Sequence, residues 1–387
     1  MRLIFSAESY PSPEEPATAF IAVLCREMTR QGHEVTVIAP QSLRAVLSGR
    51  AKKRPYHYID IVRVGNEDRS INIYCPFALT SGFGRLGKVT TWSRELAVRF
   101  VANRLPVPDV CYAHMWTSGY SIYKYARNNK IPLFVASGED KIIFHKYLHS
   151  KTQKSFRDYL SGVICVSTKN LNESVRCGFA NTEKCIVLPN GVEESLFYKI
   201  DKNVAREELG YSINDFIVIF VGRFYNRKGV NRVSEAISIL NDTGIKSIFI
   251  GTNNPGENMQ PNCGGILYVG KVAHDEIPKY LNAADVFVLP SLAEGCSNAI
   301  VEAMACGLPI ISSDRPFNYD ILDDKNSILI DPLDVTAIAD SIKYLKDNQS
   351  IRETMSNNSI LKAKQLTIST RTSNIIKFII SKVDEVQ

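Results

Sequence analysis

The chain has no stretch approaching the ~18 consecutive apolar residues of a membrane span. Its opening, MRLIFSAESYP, gives only a brief apolar run before polar residues and proline. Neither a secretory leader core nor an integral membrane segment is expected. Nine cysteines occur, but none forms a CxxC pair or falls at zinc-ligand spacing. An odd count, mostly within apolar runs, fits reduced thiols and a cytoplasmic location rather than a disulfide framework or a metal knot. No Asp-x-Asp triplet exists, so the sequence offers no such clamp for a divalent ion, and no metal site is expected. Low-complexity tracts and short-period repeats are missing too, and nothing points to a nucleic-acid partner.

What is present describes an ordinary globular protein of 387 residues, 45% hydrophobic and 22% charged, long enough for two domains. The net charge of +6 is unevenly spread: residues 1–195 carry +9 and residues 196–387 carry −3. A basic first half suits an anionic partner, and equally an unpartnered solvated surface.

Short β-rich runs alternate with helical spacing along both halves, which predicts parallel, doubly wound sheets. In the first half the strands are Leu3–Phe5, EVTVIAP, PDVCYAH, IPLFVAS, GVICVS and KCIVLPNGV. Helical spacing covers residues 17–30, runs up to Asn128 and again up to Gly178. Around residues 194–214 the pattern loosens, then restarts with FIVIFVG, SIFIG, LYVG, DVFVLP and PIISSD. The expected domains are residues 1–197 and 198–369, with a final helix over 370–387. Two such domains in tandem would place their strand ends beside a shared cleft, where ligands bind.

In the second half, EGCSNAIVEAMACGLPII follows a strand. A short helix is predicted from Ser297–Asn298, with Gly307 as its stop. Glu294 then lies in the loop before the helix and Glu302 inside it. Between them are free backbone N–H groups suited to a phosphate. A carboxylate on either side can accept hydrogen bonds from hydroxyls at the two ends of a ligand, a sugar joined through a diphosphate to a ribose. Upstream, GRFYNRKG puts Arg223 and Lys228 across a turn at another strand end, where two cations can grip a diphosphate. Alone, each feature reads as a solvated turn or a pair of ordinary acids; together they are specific.

These residues are where the chain resembles glycosyltransferase family 4, retaining enzymes of the GT-B fold that use nucleotide sugars. The motifs are VGRFYNRKG, AADVFVLPSLAEGCSNAIVEAMACGLPII, VLPNGVEESLF, RQGHEVTVIAP and NSILIDPLD, spanning nearly the whole chain in the expected order. The resemblance implies an α/β fold of two doubly wound, Rossmann-like domains facing a cleft, acceptor-binding first and donor-binding second, with the final helix crossing back to the first. It implies that Gly222, Arg223 and Lys228 meet the donor diphosphate and that Glu302 holds the ribose. Glu294, with the backbone of Cys296, Ser297, Asn298 and Ala299, would hold the transferred sugar, and Val272 would sit by the base. Arg223, Lys228 and Glu294 are the expected catalytic residues. The implied reaction is transfer of a hexosyl or N-acetylhexosaminyl group, with UDP as expected carrier, to a glycan or lipid-linked acceptor in bacterial surface-polysaccharide assembly. No cofactor is expected beyond the nucleotide sugar as co-substrate. A catalytically weakened protein that binds a nucleotide sugar or a partner transferase is the alternative.

The first half departs from the family pattern. Its first loop, YPSPEEPATAF, lacks the common glycine pair, and Ser137 stands where many members have a histidine. His114, Ser137, Glu139 and Asp140 are the acceptor-side candidates; Glu139 and Asp140 would otherwise cap the following helix. The segment GFGRLG satisfies GxGxxG but does not follow the domain's first strand, so a nicotinamide role is not favoured. With the helix after it, it interleaves Arg85, Lys88, Arg94, Arg99 and Arg104 with Phe83, Leu86, Val89, Trp92, Leu96 and Phe100. Such a segment can rest on an anionic membrane at the inner face, or pack its apolar residues into the core.

Overall fold

The computed structural model describes residues 1–12, 19–80, 87–144, 148–253 and 259–385. Its contacts group the chain into two units, Met1–Leu188 with the chain from Arg371 on, and Pro189–Thr370.

The first unit runs β1 (Arg2–Ser6), α1 (Ala19–Arg30), β2 (Glu34–Ile38), β3 (Gln41–Ser42), α2 (Leu43–Leu47), β4 (His57–Val64), β5 (Glu67–Tyr74) and β6 (Phe77–Ala78). It continues with α3 (Gly87–Ala102), β7 (Val110–His114), α4 (Trp116–Asn128), β8 (Leu133–Ser137), α5 (Ser150–Tyr159), β9 (Gly162–Cys165), α6 (Thr168–Arg176) and β10 (Cys185–Val187). Eight strands form one sheet, in the order β10-β9-β8-β7-β1-β2-β5-β4, while β3 and β6 pair separately. The apolar runs LFVAS and GVIC are buried throughout, as strands covered on both faces must be. Winding reverses between β1 and β7, so their carboxyl ends flank a crevice.

One hairpin was not expected. The β4–β5 pair is antiparallel at the sheet edge, turning at Gly65 with φ +60°. Its signal is the alternation in HYIDIVRV and EDRSINIY around a Gly-Asn turn.

The second unit contains α7 (Lys202–Leu209), β11 (Phe216–Val221), α8 (Val230–Leu240), β12 (Ile245–Ile250), β13 (Ile266–Gly270), α9 (Ile277–Ala283), β14 (Val286–Leu289) and α10 (Asn298–Ala305). It ends with β15 (Ile310–Ser313), β16 (Ser327–Ile330), α11 (Val335–Asp347) and α12 (Gln349–Ala363). Its sheet is wholly parallel, in the order β13-β12-β11-β14-β15-β16, with the reversal between β11 and β14. At its base, buried Asp285 accepts from Arg206 at 2.7 Å and from the Ile217 N–H at 2.7 Å, fixing the start of β11.

The last helix, α13 (Ile368–Asp384), begins in the second unit. Further along, Ser373 donates to Gln31 of the first unit at 3.2 Å, and Phe378 packs edge-on against Phe134. Residues 189–197, expected in the first domain, join the second unit. The reason is that Val192 bonds to Leu366 and Ile368 at 2.8 Å each, and a Cβ on Gly191 would lie 2.8 Å from the Ile368 Cα.

Candidate active site

Two strand ends meet at the reversal of the second sheet. After β11, Phe224 is buried and its N–H bonds to the Thr252 carbonyl at 2.8 Å, which pins the turn and leaves Arg223 exposed. The turn closes through the Lys228 N–H to the Tyr225 carbonyl at 3.0 Å. Gly229, with φ +83°, then starts α8; a Cβ there would lie 2.8 Å from the Pro290 carbonyl. Only glycine lets this turn close so near the end of β14. The Leu292 N–H on the Arg227 carbonyl, at 2.8 Å, ties the two loops together.

This closeness brings Lys228 to Glu294. Its Nζ donates to Glu294 Oε1 at 2.5 Å, with both side chains largely buried. Arg223 and Lys228 therefore do not share one environment. Arg223 makes no ion pair among the described residues. Gly222 lies at the strand end, where a Cβ on Gly251 would strike its carbonyl oxygen.

The loop bearing Glu294 is held from beneath. Asn190 Nδ2 donates to the Cys296 carbonyl at 3.0 Å and to Asn298 Oδ1 at 2.7 Å. Asn190 belongs to the motif VLPNGVEESLF, and nothing in the sequence alone marks this role for it. Helix α10 starts at Asn298, and its N-cap Ser297 makes no side-chain cap bond. First-turn N–H groups of α10, Ala299 among them, are thus left without the usual side-chain acceptor.

On the other side of α10, Glu302 Oε1 is 3.2 Å from His274 Nε2. The bonded Glu302 carboxylate holds the His274 imidazole above its ordinary value. His274 stands in a short 3-10 turn after Val272, edge-on to Phe197 at 5.2 Å. Its partnership with Glu302 was also missed, because 28 residues separate them. The structure brings Gly222, Lys228, Glu294 and the start of α10 together.

The acceptor-side candidates divide. Ser137 is fully buried, accepts from Trp116 Nε1 at 3.1 Å and donates to Glu139 Oε2 at 2.9 Å. Glu139 Oε1 takes the Trp116 N–H at 2.9 Å, so it caps α4 and not the helix that follows it. Burial pushes its carboxyl up. The cap is needed because Met115, at φ +74°, bends the chain sharply between β7 and α4. Trp116 is itself buried against Phe179, with ring centroids 4.7 Å apart. Ser137 thus links Trp116 to Glu139. Asp140 is exposed, and its carbonyl receives Lys169 Nζ at 2.5 Å. His114 ends β7 beside Phe20; burial first, then the Arg371 charge, pushes its imidazole down to about 4.

The glycine-rich segment lies mostly outside the described residues, with Phe83, Arg85 and Leu86 in it. Among the described residues the strand before it, β6, pairs with β3 apart from the main sheet, which removes the context a dinucleotide fingerprint needs. On α3, Trp92 is 56% exposed and Phe100 52%, while Val98, Val101 and Ala102 are buried. The core-packing reading of Trp92 is therefore wrong.

Comparison with known proteins bears on these strand ends. Residues 201–362 match the model for glycosyl transferases group 1, and residues 17–196 that for glycosyltransferase family 4. TuaC of Bacillus subtilis (strain 168), assigned to teichuronic acid biosynthesis as a glycosyltransferase, is 27% identical over 358 residues, 90% of each chain. An Escherichia coli UDP-Gal:alpha-D-GlcNAc-diphosphoundecaprenol alpha-1,3-galactosyltransferase is 29% identical over 201 residues, 48% of this chain and 51% of that one. The solved structure of Anabaena HepE with UDP and glucose superposes with TM-score 0.70 at 18% identity, covering 98% of this chain and all of the other.

Proposed function

From the premise that the chain belongs to the family 4 glycosyltransferases, with two Rossmann-like domains of the GT-B kind, we propose that it transfers a hexosyl or N-acetylhexosaminyl group from a UDP-sugar with retention of configuration. The observation that carries this is the meeting of Lys228, Glu294 and an uncapped helix start at the β11/β14 reversal. Cations and N–H dipoles there bind a diphosphate and stabilise it as it leaves. Arg223 and Lys228 take the phosphates, Glu294 a sugar hydroxyl, Glu302 the ribose and Val272 the neighbourhood of the base. In this reading the acceptor attacks from the leaving-group face and the departing phosphate takes its proton.

The acceptor is a glycan or lipid-linked intermediate of surface-polysaccharide assembly, as the names of the bacterial relatives suggest. The catalytically weakened alternative draws on Ser137, which stands where many family members have a histidine, and on the first loop, which lacks the common glycine pair. The test is transfer from UDP-sugars to a diphospholipid-linked N-acetylglucosamine by purified protein. Transfer is expected to survive exhaustive EDTA, because the cations act in place of a metal. Loss with EDTA and rescue by manganese would overturn the metal-independent mechanism; no transfer or donor hydrolysis with any UDP-sugar would favour the weakened alternative.

Exposed apolar and basic residues of α3 support a peripheral contact with the inner face of a membrane. Val89, Trp92 and Phe100 are exposed along it, with Lys88 exposed and Arg104 stacked 3.5 Å over Phe100. No helix is long and apolar enough to cross a membrane among the described residues. Each basic residue near an anionic leaflet contributes about 1 kcal/mol. Salt-sensitive flotation with anionic vesicles is expected, weakened by Trp92→Ser with Phe100→Ser. Equal recovery with neutral vesicles, or no recovery at low salt, would remove the membrane contact.

A further inference from the structure

The first unit has its own crevice at the β1/β7 reversal, and a cavity of about 310 Å³ opens there. Ligands bind at such reversals in open parallel sheets. The polar lining includes Glu8 after β1, Thr117 and Ser121 on α4, and Thr91 and Arg94 on α3, with Phe144 supplying an aromatic wall. None of the residues so far assigned to the acceptor lines it.

The bonding inside this cavity is incomplete in a particular way. Three hydroxyl protons are already used: Thr91 donates to the Gly87 carbonyl at 2.9 Å, Ser121 to the Thr117 carbonyl at 2.8 Å, and Thr117 to Glu8 Oε1 at 2.5 Å. What these groups have left to offer is lone pairs, which suit a ligand rich in hydroxyl donors. Arg94 is the opposite case. Its Nε is buried with no hydrogen-bond partner, and among the described residues it forms no ion pair. Glu8, in the same lining, takes the Thr117 hydroxyl and forms no ion pair among the described residues. A buried guanidinium nitrogen without an acceptor is costly unless a ligand supplies one, and exposed Glu8 in the same lining is open to a hydroxyl donor. Phe144 can pack against the apolar face of a sugar ring.

We propose that this cavity receives the acceptor's sugar and that Arg94 holds an anionic group the acceptor carries, a phosphate or a carboxylate, while Glu8 accepts from a sugar hydroxyl. The inference rests on the transferase reading and adds the acceptor's chemical class. A guanidinium matches both anions with paired donors, so phosphate and carboxylate share one recognition chemistry.

The experiment titrates the whole protein by NMR, with UDP at saturation so that the donor side is occupied. The probes are N-acetylglucosamine 1-phosphate, methyl glucuronide and the neutral methyl N-acetylglucosaminide. At least one anionic probe is expected to bind tenfold or more tightly than the neutral one, and which of them does so tells phosphate from carboxylate. Arg94→Gln should abolish the preference, Arg94→Lys should keep part of it, and UDP affinity should be the same in all three proteins. Equal affinity for charged and neutral probes in the unaltered protein overturns the proposal, even if Arg94→Gln fails to fold. A preference that survives Arg94→Gln overturns it too. Failure of UDP itself to bind would instead strike the transferase reading.

Discussion

Replacing Lys228 by alanine is expected to lower turnover by about a hundredfold or more, the scale of losing one preorganised charge at a developing anion. Lys228 sits largely buried between the turn after β11 and the loop after β14, with its Nζ on Glu294. Its removal takes away a positive charge facing the diphosphate and leaves the Glu294 carboxylate without its cation. The second loss should appear in the unliganded protein as well, as destabilisation of about 1–3 kcal/mol. Arg223→Ala separates the two effects. Arg223 is exposed and forms no ion pair among the described residues, so its loss should reduce turnover on the same scale with little change in melting temperature. Steady-state kinetics and thermal melts on both variants make the comparison. Unchanged turnover in both would sink the assignment of these cations to the phosphates.

The sequence showed the parts of this site that lie close together in the chain. Arg223 and Lys228 occupy one turn, and Glu294 to Glu302 one loop and helix start, so strand and helix periodicity sufficed to place them at strand ends. Pairings that close only through tertiary structure could not be seen. Lys228 meets Glu294 because Gly229 allows the two loops to close, and 66 positions separate the partners. His274 on Glu302 and Asn190 under Cys296 are of the same kind. The parallel strands were legible because their apolar runs are unbroken. The β4–β5 hairpin was overlooked because its alternation is mild and lies among polar residues. Ser137 and Glu139 were judged by their position after a strand, whereas Met115 had made the neighbouring helix start the group needing a cap. Trp92 was left open because helical spacing alone does not say which face of α3 meets the sheet.

The two glutamates should separate by ligand. Glu302→Gln is expected to weaken UDP and UDP-glucose alike, by about tenfold, the loss of one charge-assisted hydrogen bond. The partner proposed for Glu302 is the ribose, which both ligands carry. Glu294→Gln should weaken UDP-glucose by a similar factor while leaving UDP nearly unchanged, because its partner is a hydroxyl of the sugar. The amide replacement suits both tests. Its oxygen can still accept from Lys228 at position 294 and from His274 at position 302, so the hydrogen-bonded geometry is retained while the charge is lost. At position 302 the change should also release His274 from the carboxylate that holds its imidazole up. His274 would then titrate nearer its ordinary value, and NMR of the ring protons reports this without any ligand. Calorimetry on the two variants with the two ligands gives four affinities. Equal losses for UDP and UDP-glucose in both variants would refute the division of labour between sugar and ribose, while the shift at His274 would show that the Glu302 charge had been removed.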